Sequence, residues 1–235
     1  IPVGFLHSRL ENEILPDEWS NWMESCTNGI IYFNMGSIAV LPDRWADHFV
    51  AGIHNLTALK RCVVWKISKK QLSAMKTRVA NIDQDLVRLS SYLPFSPRHL
   101  LAHANTKVFV THCGDTSVYE SVEAGVPMVG LPLFADQPDM CQRVQDAQVG
   151  ISLDKFTFSG HDLFTAAEAM VASSTAVVRL QQLKKQALSQ GGPMRAVAAL
   201  EQAVHMNVSD FTCKHVDQPV LQIMELESAI GVALL

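Results

Sequence analysis

The sequence predicts an α/β protein built on a doubly wound parallel sheet, and three observations carry that prediction. Short apolar runs alternate with longer amphipathic stretches over most of the chain. The runs are apolar on consecutive residues, as expected when helices cover both faces of each strand. Connections of two to six residues then join strand to helix and helix to strand.

Six strands are expected, over residues 29–34, 61–67, 86–90, 107–111, 126–131 and 149–153. Helical patterns lie between them at 42–59, 71–80, 97–104, 116–124 and 140–147. Beyond Asp162 the strand signals stop. Residues 162–172 and 175–190 read as helices, Gly191-Gly192 break the pattern, and Pro193 suits the first turn of a last helix reaching about His205. Val178, Leu180, Leu183 and Leu188 form an apolar stripe expected to face the core.

Composition narrows the class. The 235 residues are 48% apolar and 18% charged, ample for a buried core and unlike a disordered chain. A net charge of −4 offers no cationic surface to nucleic acid. The five cysteines (Cys26, Cys62, Cys113, Cys141, Cys213) are odd in number, widely spaced and without a C-x-x-C pair, so neither a disulfide framework nor a structural zinc site is expected. The first residues lack the charged start and apolar core of a signal peptide. The last eight, Ser228 to Leu235, carry no charge and fit either the tail of a packed helix or the start of a membrane span.

Charge is uneven. From Lys60 to Arg98 there are nine basic residues against Asp83 and Asp85, a local balance of +7, read as a solvated basic face or as the border of an anion site. His99 and His103, four apart, suggest a metal pair, but no carboxylate falls in register with them, and no metal is assigned. Asn55-Leu56-Thr57 and Asn207-Val208-Ser209 are glycosylation sequons that matter only in a secretory compartment.

In doubly wound sheets ligands bind beyond the carboxyl ends of the strands. One strand end here runs through Asn34-Met35-Gly36-Ser37, where glycine permits close backbone approach and Ser37 offers a hydroxyl. Another runs through His112-Cys113-Gly114-Asp115-Thr116-Ser117-Val118-Tyr119-Glu120, in which a helix begins. Its free amides and positive dipole end suit a diphosphate, with His112, Thr116 and Ser117 as further donors and Glu120 as acceptor for a vicinal diol. Ser117-x-x-Glu120 equally matches a capping box, in which both side chains serve only the helix's own amides. Cys113 is read as structural.

The run from Tyr92 to Gln137, densest in 111–120 and 123–137, resembles the donor-binding signature of the UDP-glycosyltransferases, which have the GT-B fold. The resemblance implies that the chain is the carboxyl-terminal, Rossmann-like half of such an enzyme. Residues 1–20 would be an interdomain linker, 21–160 the nucleotide-sugar domain, and 161–235 the closing helices and the start of a membrane anchor. It implies UDP-sugar contacts at Ser37, Tyr92, His112, Gly114, Thr116, Ser117, Glu120, Asp136 and Gln137. His112, Gly114, Thr116 and Ser117 would hold the diphosphate, Glu120 the ribose, and Asp136 with Gln137 the transferred sugar. Lys66 falls where some members carry an arginine facing the nucleotide.

Two departures from the family stand out. Thr116 replaces the usual Asn, and the Trp-x-Pro-Gln that stacks on uracil becomes Tyr92-Leu93-Pro94-Phe95-Ser96-Pro97-Arg98. Either Tyr92 is the stacking ring, the preferred register, or Phe95 is, with Arg98 in the Gln position. The family reaction is a metal-free inverting transfer of a hexosyl group, glucosyl or glucuronosyl, from a UDP-sugar to a small lipophilic acceptor. Its catalytic base lies in an amino-terminal acceptor domain, so no catalytic residue is assigned here and the chain alone is expected to be inactive. A non-catalytic nucleotide-sugar-binding subunit of a split enzyme is the alternative. The implied location is the endoplasmic reticulum membrane with a lumenal domain; the cytoplasm is the alternative.

Overall fold

The computed structural model describes residues 3–6, 14–36 and 40–205. Ser37, Cys213, the second sequon and the apolar tail therefore lie outside the described residues. By contact density the chain divides into two units, Ser8–Ser189 and a second formed by Ile1–His7 with Gln190–Leu235.

In the larger unit the order is α1 (Asp17–Ser25), β1 (Ile30–Asn34), α2 (Asp43–Ala58), β2 (Cys62–Lys66), α3 (Lys69–Arg78), β3 (Val87–Ser90) and α4 (Pro97–Ala102). It continues with β4 (Thr106–Thr111), α5 (Asp115–Ala124), β5 (Met128–Gly130), α6 (Gln137–Asp146), β6 (Gly150–Ser152), α7 (Gly160–Val171) and α8 (Ser174–Ser189). All strand pairs are parallel, in the order β3-β2-β1-β4-β5-β6. Each expected strand is present; β4 begins one residue earlier than expected, and the other five are trimmed by a residue or more. The smaller unit contributes α9 (Gly192–His205), where the Gly192 amide donates to the Val3 carbonyl at 2.6 Å.

The unbroken apolar runs have the predicted cause. Ile31, Phe33, Val63, Trp65 and Val110 face one core with Phe49 and Ile53 of α2 and Leu163 of α7. Ile30, Tyr32, Val64, Phe109 and Met128 face the other, with Trp22 and Met23 of α1, Leu100 of α4 and Val118 of α5. Aromatic stacking organises both: Phe49 on Trp65 at 5.5 Å, Tyr32 on Phe109 at 4.9 Å.

Four expectations need correction. First, α1 went unread because Pro16 opens it and its first turn carries Asp17 and Glu18, yet Trp19, Trp22 and Met23 bury one face. Second, Cys26 and Cys62 form a disulfide with Cα atoms 5.8 Å apart, and Cys113 pairs with Cys141 across 5.3 Å. Wide spacing argued against pairing, but β1 and β2 lie side by side and bring Cys26 to Cys62, while α6 carries Cys141 to the turn after β4. Gly130 leaves room for the second pair, since a Cβ there would fall on both sulfurs. Third, in the α8 stripe Leu180 is buried and Leu183 packs against the core, while Val178 and Leu188 are exposed. Fourth, the basic segment is largely neutralised by tertiary ion pairs: Lys60 with Asp83, Arg61 with Glu168, Arg78 with Asp43 and Asp47, Arg88 with Glu18, and Arg98 with Glu123.

The first sequon sits inside α2, with Thr57 buried and its hydroxyl donating to the His54 carbonyl at 3.0 Å, so the folded chain does not present it. Among the described residues no single helix is long and apolar enough to cross a membrane.

Helices α2 and α7 touch through glycine. A Cβ at Gly160 would lie 2.6 Å from Ala51 Cβ and 2.7 Å from the His48 carbonyl oxygen. Backbone cannot yield as a side chain can, so Gly160→Ala should cost about 1–3 kcal/mol in urea unfolding. A substitution indistinguishable from wild type would refute that account.

Candidate functional site

Strand order places the crevice. The chain leaves β1 toward β2 on one side, and β4 toward β5 on the other, so the loops at the carboxyl ends of β1 and β4 diverge. Asn34 and Thr111, the last residues of these strands, are partners in register.

His112 follows directly and fills the space between the loops. A Cβ on Gly36 would stand 2.9 Å from its Nε2, and one on Gly114 2.5 Å. Gly36 also has φ +85°, whereas Gly114 has an ordinary φ of −62° and is glycine for room alone. Between them Cys113 takes the left-handed conformation, φ +61°, and its amide donates to the buried Thr111 hydroxyl at 3.3 Å. The disulfide to Cys141 ties this turn to α6. The His112 ring donates to the Asn34 carbonyl, but burial outweighs that bond and the nearby Asp136 charge, and holds the imidazole below its ordinary pKa.

Helix α5 begins at Asp115 with Gly114 as its N-cap, and no side chain caps it. The Ser117–Glu120 capping box therefore does not form: Ser117 is already in the first turn and Glu120 in the second. Thr116 is exposed and Ser117 half-buried beside the uncapped amides. That arrangement presents backbone donors and a positive dipole end to the crevice.

Glu120 is half-buried. Desolvation raises its pKa above the ordinary value of 4.5, against the opposing pull of Arg98 and Lys66 and with some help from Glu123. Lys66, the last residue of β2, is thus a cation within electrostatic reach of this carboxylate. Arg98 is held by Glu123 at 2.7 Å and is the better shielded of that pair.

The two candidate stacking rings differ sharply. Tyr92 is 76% exposed in the loop after β3, with its amide accepted by Ser90 Oγ at 3.2 Å. Phe95 is 4% exposed and packs edge-on against Trp19 at 5.3 Å. In the loop after β5, Ala135 is left-handed and Asp136 is exposed, with no side-chain capping bond to α6. Gln137 is 5% exposed, and its Oε1 accepts from the Leu133 and Phe134 amides at 2.9 and 3.2 Å. It shapes the loop that carries Asp136.

His99 lies in α4, whereas His103 is the residue after its end. No group of three or more His, Cys, Asp or Glu side chains suited to a metal ion occurs among the described residues. Sequence reasoning singled out Gly36 for the close backbone approach it permits, but missed Asn34 and Thr111 as architects of the crevice.

Residues 2–206 match the family described as UDP-glucoronosyl and UDP-glucosyl transferase. UDP-glucuronosyltransferase 2B17 of Homo sapiens is 31% identical over 72% of this chain and 30% of its own length. UDP-glucuronosyltransferase 2A3 of Pongo abelii is 29% identical over 74% of this chain and 31% of its own. Among solved structures, the glycotransferase of kitacinnamycin covers 85% of this chain and 48% of its own with a TM-score of 0.72 at 20% identity. A UDP-glucose:anthocyanidin 3-O-glucosyltransferase, solved in complex with UDP, covers 83% and 44% with a TM-score of 0.66 at 25% identity. The chain thus spans about a third of the curated relatives it matches.

Glu120 allows a test of the site's electrostatics. Its folded-state pKa is raised, so its contribution to stability is present below the unfolded value and is lost as pH rises through the folded one. Glu120→Gln removes that loss. The variant should be more stable than wild type at pH 7 and lose its advantage by pH 4, measured as urea midpoints across pH. An advantage that does not change with pH would contradict the desolvated carboxylate.

Proposed function

Because the chain belongs to the UDP-glucoronosyl and UDP-glucosyl transferase family, we propose that it is the donor-binding half of an inverting UDP-glycosyltransferase. The enzyme moves a hexosyl group, glucosyl or glucuronosyl, from a UDP-sugar to a small lipophilic acceptor. The observation that carries this reading is the uncapped start of α5 beside His112 in the crevice between β1 and β4.

The diphosphate lies against the amides of Asp115, Thr116 and Ser117 and the Gly36 turn, with Ser37 following that turn. Gly114 leaves the space, and the Thr116 and Ser117 hydroxyls add neutral donors. Glu120 accepts from the ribose hydroxyls one turn further along. Tyr92 is the ring free to stack on uracil; Phe95 is spent on the core. Asp136, exposed and near His112, faces the transferred sugar. Gln137 has only its Nε2 to offer beside it, because its carbonyl oxygen is committed to the loop.

In the reaction an acceptor hydroxyl attacks the anomeric carbon, the bond from that carbon to the diphosphate oxygen breaks, and UDP departs with the electron pair. The acceptor proton passes to a base in an acceptor domain outside this chain. The share of this half is electrostatic: preoriented amides stabilise the charge that grows on the leaving diphosphate.

A lumenal location gains support from the Cys26–Cys62 disulfide, because such bonds persist in oxidising compartments. A membrane anchor beyond the described residues belongs to the same reading.

His112 gives the donor site a pH signature. Its ring is held neutral and already donates to Asn34, so an arriving diphosphate favours protonation of the other nitrogen. UDP binding should therefore take up protons near neutral pH. Calorimetry in buffers of different ionisation enthalpy measures this uptake, which His112→Ala should abolish along with about tenfold of the affinity. Glu120→Ala should weaken UDP about as much, and no sugar transfer is expected until an acceptor domain is supplied. A folded chain indifferent to UDP would overturn the proposal.

A further inference from the structure

Asn34 ends β1 at the crevice and is 9% exposed. Its Oδ1 accepts from the Gly36 amide at 3.0 Å, closing a turn of the kind Asn side chains stabilise. Its Nδ2 donates to the buried Tyr32 hydroxyl at 3.1 Å. Tyr32 is itself fully buried and stacked on Phe109. The carboxamide is therefore clamped at both ends, and the chain of bonds runs from the sheet core to the Gly36 turn. The backbone of the same residue holds the His112 ring, which packs against Gly36.

One residue thus sets both sides of the space between the β1 and β4 loops. An aliphatic side chain would leave the Gly36 amide without its acceptor and the Tyr32 hydroxyl without its donor. The turn would then be free to swing toward the His112 ring, since Gly36 has the backbone freedom to do so.

We propose that Asn34 is a positioning residue for a nucleoside diphosphate: by fixing the Gly36 turn it sets the width of the slot that receives the phosphates. This rests on the donor-site reading above and adds to it a residue that need not touch the ligand. Its effect falls on the phosphates, because Tyr92 and Glu120, which face the nucleoside in that reading, lie on other loops and elements.

The test compares UDP with uridine, which lacks the phosphates, titrated into the chain and into Asn34→Ala, with thermal unfolding as a check on folding. Expected is a loss of about tenfold in UDP affinity, uridine affinity within about twofold, and a displaced His112 ring resonance by NMR. Unchanged UDP affinity, or equal losses for both ligands, would overturn the proposal. If Asn34→Ala does not fold, Tyr32→Phe keeps the stack on Phe109 but removes the hydroxyl to which the Asn34 Nδ2 donates, unfastening the carboxamide without adding charge at the slot. It should weaken UDP several-fold and spare uridine, and unchanged UDP affinity or equal losses would again refute the idea. A wild-type chain that binds uridine but gains nothing from the phosphates would defeat the donor-site reading itself, a result separable from any behaviour of the variants.

Discussion

Two parallel neighbours, β1 and β4, whose chains depart in opposite directions, create the space on which the rest of the site depends. A parallel sheet fills its faces with side chains and covers them with helices, so a ligand reaches the sheet in the crevice beyond its strand ends. Here that crevice is narrow enough for one imidazole to occupy it. His112 fits because the residues on either side, Gly36 and Gly114, have no Cβ. The same absence of a side chain at Gly114 leaves α5 without a capping group and its first amides free.

The charges around the crevice follow from packing more than from composition. The segment from Lys60 to Arg98 is rich in cations, but most are drawn to carboxylates brought in by α1, α2, α5 and α7 or by the neighbouring loop. Such partly exposed pairs add little stability. Lys66, and Arg98 even though it is paired with Glu123, are the cations that act on Glu120. A carboxylate desolvated in this way is costly to the fold at neutral pH, and a ligand hydroxyl that donates to it recovers part of that cost.

Much of the architecture was legible in the chain because burial on both faces leaves a plain mark. Runs such as Ile30-Ile31-Tyr32-Phe33 and Cys62-Val63-Val64-Trp65 have no polar face to hide, and Gly125, with φ +77°, closes α5 as a glycine should. The first helix was illegible for the opposite reason: its acidic first turn and short apolar stripe look like a linker until Trp19 meets Phe95. The capping box was misleading, since the Ser-x-x-Glu pattern is the same whether a helix starts at Ser117 or two residues before it. Only the position of Gly114 at the helix start separates the two.

By itself the sequence determined the six strands, the helices that alternate with them, and the segments in which anion donors gather, because these depend on local pattern and on steric rules acting over a few residues. The tertiary structure decided what depends on distant meetings. It chose Tyr92 over Phe95 as the exposed ring, joined Cys26 to Cys62 and Cys113 to Cys141, spent Gln137 on its own loop, and made Asn34 the brace of the crevice. The disulfides join cysteines 36 and 28 residues apart, and Phe95 is buried by Trp19, so no local window contains those partners. Gln137 and Asn34 bond within a few residues of themselves, and there the fold decided which side chains are buried enough to be committed.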